Sequence, residues 1–337
     1  MTPRRALLPL VPLYAAAVAA KNALYATGLL RPKQLAWPVI SVGNLSTGGA
    51  GKTPFVLALS KLLAAAGWHA DVLTRGYGRT GTAVTRVNPL GSAAEFGDEP
   101  MLLARAGLPV FVGASRYRAG LLAESQTPAG KSLHLLDDGM QHRKLARQVE
   151  IVLLLQADFN DHLLPAGNLR EPLSALRRAD IIVLRAEDAA LEARVRHLLG
   201  PRRNPIFWRV QRSLRFTTME GVPTEVPSRP LAFCALARPE AFLESLRAAG
   251  CKPVTMAAAQ DHHMYTARDL QSLAARAIAQ RATSFVTTAK DACKLESVLL
   301  FTLTQHAPVL IAELVTTIQD EPAAAQLLAL LDKKSPR

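Results

Sequence analysis

The chain has 337 residues, 49% hydrophobic and 20% charged, which is enough apolar material for sizeable cores and excludes wholesale disorder. Forty Lys and Arg against 27 Asp and Glu leave a formal charge of +13, favouring an anionic partner such as a phosphorylated ligand, nucleic acid or acidic membrane surface. Aromatics at 5% are too sparse for a base-stacking platform, so no nucleic-acid partner is expected, and Cys234, Cys251 and Cys293 form no CxxC pair that would suggest a disulfide framework or a zinc site.

Arg4 and Arg5 precede an apolar stretch over 6–20, which Lys21 interrupts before it resumes to Leu30. The outline fits a signal peptide, an interfacial helix or a terminal helix packed on its own domain. As a membrane span the uninterrupted run is short, and Pro9 and Pro12 fall within it. The nucleotide-site sequence downstream, over 46–54, needs cytosolic ATP, which counts against cleavage and export. The expectation is a membrane-surface helix over residues 1–36, with Arg4, Arg5, Lys21, Arg31 and Lys33 near headgroups.

From Trp37 onward β-rich runs alternate with helical stretches. Strands are expected over 39–42, 70–74, 109–112, 132–136, 150–154 and 180–184, with helices over 54–66, 100–106 and 116–124. This alternation is that of βαβ units and a mainly parallel sheet. Beyond Pro201 the pattern shifts: 206–210 and 214–218 read as a strand pair joined at 211–213, and 221–230 as loop. A second series comes after it, with strands over 231–234, 253–256, 284–288 and 309–314, and helices over 239–249, 267–281 and 322–332; Thr266 and Asp269 make a capping box.

Between the first strand and helix stand Ser46-Thr47-Gly48-Gly49-Ala50-Gly51-Lys52-Thr53-Pro54, a Walker A form with Ser46 in place of its first glycine. The glycines let backbone amides turn around phosphate oxygens, Lys52 reaches the β/γ-phosphates, and Thr53 is positioned to hold Mg²⁺. The required acid comes from Leu133-His134-Leu135-Leu136-Asp137-Asp138-Gly139, an apolar strand ending in two aspartates whose repulsion calls for a cation. A P-loop nucleotide enzyme is expected, binding ATP and Mg²⁺. Its fold class is α/β: a P-loop-type parallel-sheet domain over 37–205, a β-stranded connector over 206–228 and a smaller α/β domain over 229–337. A GTPase is disfavoured because Thr288-Ala289-Lys290-Asp291 has the wrong spacing for base recognition. A deviant-Walker ATPase is disfavoured because Thr47 occupies the signature lysine's place.

The sequence resembles the tetraacyldisaccharide 4'-kinase family of lipid A biosynthesis. The resemblance rests on residues 42–45 and 48–54, Thr74-Arg75-Gly76-Tyr77-Gly78-Arg79, Gly97-Asp98-Glu99-Pro100 and Leu136-Asp137-Asp138-Gly139-Met140-Gln141-His142. It continues through Leu164-Pro165-Ala166-Gly167-Asn168-Leu169-Arg170-Glu171-Pro172, Asp261-His262-His263 and Thr287-Thr288-Ala289-Lys290-Asp291, and so covers essentially the whole chain. Met140 and Ala289 depart from the Phe and Glu of the family pattern.

The resemblance implies transfer of the ATP γ-phosphate to the 4'-hydroxyl of an acylated glucosamine disaccharide 1-phosphate, giving lipid IVA. It places the enzyme at the cytosolic face of a bacterial inner membrane, peripheral or anchored by its N-terminus, with no protein partner required. It further implies a base dyad of Asp98 and His262, with His263 an adjacent alternative, and a metal set of Thr53, Asp137 and Asp138. Gln141 and His142 would contact the sugar, Arg170 and Glu171 the acceptor or γ-phosphate, and Arg75, with Tyr77 and Arg79, the phosphates or headgroup. Lys290 and Asp291 would lie on the nucleotide side. With Asp98 and His262 on different domains, closure around the substrates is expected. The runner-up is a P-loop ATPase that regulates a partner by hydrolysis, with no lipid acceptor.

Overall fold

Apolar runs of five or six residues, buried on both sides, make the centre of a sheet that helices cover on its two faces. The computed structural model describes residues 4–126, 130–261, 263–295 and 297–334. A 3-10 turn, Arg5–Leu10, leads into α1 (Val11–Ala26), β1 (Val39–Asn44), α2 (Lys52–Ala65), β2 (His69–Thr74), β3 (Thr85–Arg86), α3 (Ala93–Phe96) and α4 (Asp98–Arg105). Next come β4 (Val110–Val112), α5 (Arg116–Gln126), β5 (Ser132–Asp137), β6 (Val149–Leu153), β7 (Ile181–Arg185), α6 (Leu191–Leu199), β8 (Ile206–Thr218) and β9 (Pro223–Thr224). The chain ends with β10 (Pro230–Cys234), α7 (Pro239–Ala248), β11 (Thr255–Ala258), α8 (Ala267–Ala279), β12 (Ser284–Thr288), α9 (Ala289–Ala292), α10 (Ser297–Thr304), β13 (Val309–Ile318) and α11 (Ala323–Lys334).

The strands form a single sheet in the order β11-β10-β12-β13-β8-β7-β6-β1-β5-β2-β4-β3, with β9 beside β8. β1 pairs in parallel with β5 on one side and β6 on the other. The chain leaves β1 through α2 toward β2 on the β5 side, yet β5 leads to β6 across β1. The carboxyl ends of β1, β5 and β6 therefore border a crevice where strand order reverses, the usual ligand position in an open α/β sheet. α2 holds the mouth of this crevice by burying Phe55, Val56, Leu59 and Leu63 against the same core as Val42 and Leu135. Burial of four such side chains contributes roughly 6–12 kcal/mol, so the helix start is a rigid platform.

The expected strand pair over 206–218 is one continuous strand. Gln211, Arg212 and Ser213 look turn-like in sequence, but they pair with Thr317, Thr316 and Val315 of β13. No glycine or proline breaks the run, and its polar alternation reflects an antiparallel ladder with one open face. β8 runs parallel to β7 and antiparallel to β13, so the two parts of the sheet are one surface.

The prolines near the N-terminus do not interrupt the helix. Pro9 lies in the 3-10 turn and Pro12 at the start of α1, where a missing N–H costs nothing. Residues Ala6–Ala26 thus form a 21-residue helix long and apolar enough, by length and composition, to cross a membrane. None of the α1 residues is buried, and Leu8, Leu10, Leu13 and Leu24 are exposed. Polar residues tie it sideways to the site loops: Tyr14 donates to the Arg170 carbonyl (3.0 Å), Lys21 to the Gln141 carbonyl (3.0 Å) and Asn22 to Glu171 (2.9 Å).

Candidate active site

The loop after β1 has the form that anion binding needs. Gly48 and Gly51 sit at φ +83° and +76°, in the left-handed region that favours glycine. α2 begins at Lys52 with no side-chain cap, so the amides of its first turn remain for a ligand. Ser46 needs no glycine's freedom: it is buried, has no positive φ and bridges Leu169. Thr47 N–H donates to the Asn168 carbonyl (2.8 Å) and Arg170 N–H to the Leu45 carbonyl (2.7 Å). The 164–172 segment is therefore laid along the phosphate loop, and it delivers Arg170.

Lys52 and Arg170 converge on the end of β5. Lys52 Nζ lies 2.9 Å from Asn44 Oδ1 and 3.2 Å from Asp138 Oδ1. Arg170 holds both Asp138 oxygens at 2.8 Å and Asn44 Oδ1 at 2.6 Å. Burial alone would raise the Asp138 carboxyl, but Arg170 and Lys52 outweigh it and hold the group well below the usual carboxylate range. Asp138 occupies φ +51° to make this approach.

Asp137 is the opposite case. It is 1% exposed, neither carboxylate oxygen has a hydrogen-bond partner among the described residues, and its pKa is raised to about 7, by burial first and Glu99 next. A buried, unpartnered carboxylate facing a second acid is a site that a cation would satisfy. Among the described residues no three His, Cys, Asp or Glu cluster as a ligand cage. Mg²⁺ takes one or two carboxylates, hard oxygens such as a threonine hydroxyl, and substrate phosphates. The residues present fit the ion: Asp137 and Thr53 could hold it, while Asp138 is already balanced by Lys52 and Arg170.

Around this centre, Gln141 Nε2 donates to the Asn44 carbonyl (3.1 Å), while its Oε1 is buried without a partner among the described residues. His142 is lowered to about 3 by burial and then Arg116 and Arg147, so its imidazole is neutral at physiological pH. Arg116, which no sequence motif singles out, opens α5 buried and lowered to about 10 by burial and then Arg75, with Asp138 and Asp137 opposing. Arg75 itself is exposed at the edge of this group. Glu171 is engaged elsewhere: it is buried, takes both guanidinium nitrogens of Arg178 at 2.8 Å, and accepts from Asn22. Burial would raise its carboxyl, but the Arg178 fork keeps it low. Its role here is to moor α1 to the loop that carries Arg170.

Asp98 is the first residue of α4, buried, and paired with the wholly buried Lys294 at 3.4 Å and with Lys290 at 4.0 Å. Lys290 also reaches Asp261 at 3.5 Å, so α4 and the turn before residue 262 meet through one lysine. His262 lies outside the described residues. His263 bonds Asp269 at 3.0 Å, within the capping box of α8. Asp291 is fully buried and accepts from the Ala235 amide, Thr288 and Lys294, which makes it an anchor of the local fold. Lys294 and the loop-facing Arg212 are further charged groups that the sequence did not single out.

The family model for tetraacyldisaccharide-1-P 4'-kinase matches residues 3–332. A tetraacyldisaccharide 4'-kinase of Koribacter versatilis is 41% identical over 337 residues, covering 97% of this chain and 99% of the relative. The chain belongs to the tetraacyldisaccharide-1-P 4'-kinase family. An Acidovorax ebreus tetraacyldisaccharide 4'-kinase is 42% identical over 268 residues, covering 77% of this chain and 75% of that protein. A crystal structure of LpxK from Aquifex aeolicus, described as an "apo" form in complex with ATP, superposes with a TM-score of 0.77 at 31% identity, covering 97% of this chain and 99% of that one. The mixed α/β fold with its large parallel-dominated sheet is thus the fold of this family.

Proposed function

We infer that the chain is an ATP-dependent tetraacyldisaccharide 4'-kinase, moving the γ-phosphate of ATP to the 4'-hydroxyl of a tetraacyldisaccharide 1-phosphate to give lipid IVA. The observation that carries this reading is the Lys52–Asp138–Arg170 cluster at an uncapped helix start, beside the unpartnered Asp137. Lys52 and the first amides of α2 balance the triphosphate charge and hold it in line. Arg170, fixed by Asp138 and Asn44, is a planar donor set for the transferring phosphoryl oxygens. Held by Asp137 and Thr53, Mg²⁺ would neutralise charge developing between the β- and γ-phosphates. Asp98 accepts the acceptor hydroxyl's proton, with His262 tuning it from the segment after Asp261, and Gln141 with neutral His142 hydrogen-bonds the sugar.

Acceptor access fits the position of α1. Its exposed leucines suit acyl chains, while Ala15, Val18, Ala19 and Asn22 border a cavity of about 270 Å³ shared with Pro172–Arg178. We assign α1 to the cytosolic face of the inner membrane, with residues 37–205 as the nucleotide-binding domain, 206–228 as a connector and 229–337 as a second domain that closes on the site. The test is purified protein with γ-labelled ATP, Mg²⁺ and a phosphorylated acylated disaccharide. Label in the lipid fraction supports the reading; label only in free phosphate would indicate an ATPase that acts on a partner.

A further inference from the structure

β8, two strands beyond β6 in the sheet, carries a side chain to the phosphate loop. Arg212 stands at its middle, in register with Thr316 of β13, and donates from Nη2 to the carbonyl oxygen of Ala50. A β-carbon added to Gly51 would lie 2.5–3.1 Å from the guanidinium atoms of Arg212, so the guanidinium abuts the loop where it turns into α2. The positive φ of +76° restricts this position to glycine, and a β-carbon there would also have to displace the end of the Arg212 side chain.

Among the described residues no carboxylate forms an ion pair with Arg212, and its Nε is buried without a hydrogen-bond partner. The acids it senses, Glu187 and Asp188, are paired to Arg185 at 3.1 and 3.0 Å. Burial, and then Arg185, lowers its pKa to about 10. A desolvated guanidinium lacking an acid is costly, and it would be relieved by an anion seated across the loop.

We propose that Arg212 is a positioning residue of the nucleotide site. It braces the Ala50–Gly51 turn through the Ala50 carbonyl, keeping the following amides aimed at a nucleoside triphosphate whose charge balances its own. Because β8 pairs with both β7 and β13, the brace also ties the loop to the second part of the sheet. This inference rests on the reading that residues 46–53 hold the ATP phosphates.

Arg212→Ala, Arg212→Lys and Lys52→Ala should be compared by titration calorimetry with Mg·ATP and by steady-state kinetics against both substrates. Loss of a charged hydrogen bond predicts an ATP Kd and KM raised about 10–100-fold in Arg212→Ala, with the acceptor KM unchanged. Low, non-denaturing guanidinium should recover part of that loss in Arg212→Ala and nothing in the parent, a rescue that a merely structural defect would not show. Folded Arg212→Ala with parental ATP affinity overturns the proposal. If Arg212→Ala does not fold, Arg212→Lys decides: weakened ATP binding supports the brace and parental binding refutes it. Should Lys52→Ala also bind ATP normally, the loop assignment fails, and not merely the role of Arg212.

Discussion

Replacing Asp137 with Asn should make the metal-free protein more stable and the enzyme nearly inactive. The Asp137 carboxyl is 1% exposed and raised from 3.8 to about 7, by burial first and then by Glu99. A folded pKa above the unfolded one means the fold favours the protonated acid, so the penalty is absent below about pH 4, builds as pH rises from 4 to 7 and is fully present above 7. At pH 8 the displacement corresponds to a cost on the order of 2–4 kcal/mol, which the neutral amide removes. For a chain of this length that raises Tm by about 3–6 °C at pH 8, with little change near pH 4. Added Mg²⁺ should stabilise the parent at pH 8, because it balances the carboxylate, and should leave Asp137→Asn unmoved. Phosphotransfer should fall at least ~10²-fold. Thermal melts at both pH values, with and without Mg²⁺, check the argument. An Asp137→Asn protein no more stable than its parent at pH 8, or equally stabilised by Mg²⁺, would refute it.

Lys52→Ala should lower the transfer rate by at least ~10³-fold while the protein still folds, since the lysine packs no apolar core and Arg170 still holds Asp138; near-normal turnover in folded protein excludes the phosphate-loop assignment. Asp98→Ala and His262→Ala should each reduce kcat far more than they raise the ATP KM, and the double variant should be scarcely worse than the worse single one. Fully multiplicative losses would argue for independent action, and a large defect at His263 with none at His262 would shift the dyad by one residue. Removing residues 1–30 should release the protein from membranes more readily and weaken use of long-chain acceptors, read by vesicle flotation and by kcat/KM against acyl length; unchanged flotation would exclude α1 as the membrane contact.

Features set by local spacing were legible in the sequence. The strand–glycine loop–helix order around Lys52 and the apolar run ending in Asp137 and Asp138 each occupy one contiguous segment, so their geometry is a consequence of chain connectivity. The capping box at Thr266 and Asp269 is equally local, and both of its reciprocal hydrogen bonds are present. β8 was less legible because Gln211, Arg212 and Ser213 have the polarity of a turn. Their strand conformation comes from β13, whose pairing partner lies about a hundred residues away in the chain. The same holds for charges recruited from distant elements. Nothing in Ser115-Arg116-Tyr117 announces that Arg116 will be buried near the aspartates, and nothing around Lys294 shows that it will bridge Asp291 and Asp98. Glu171 shows the converse: its motif neighbour Arg170 faces the loop, while Glu171 itself is held by Arg178 seven residues on.

Phosphorylation of a disaccharide lipid at its 4'-hydroxyl is decided by locating the transferred phosphate. Purified protein, ATP, Mg²⁺ and a tetraacyldisaccharide 1-phosphate are incubated, and the lipid product is examined by mass spectrometry and by phosphorus–proton correlation NMR. The product should be a lipid heavier by one phosphate, with the new phosphorus coupled to the proton at carbon 4' of the distal glucosamine. That product should be missing when Lys52→Ala protein replaces the parent. An unchanged lipid with phosphate accumulating in solution, or a phosphate attached at another carbon, would contradict it.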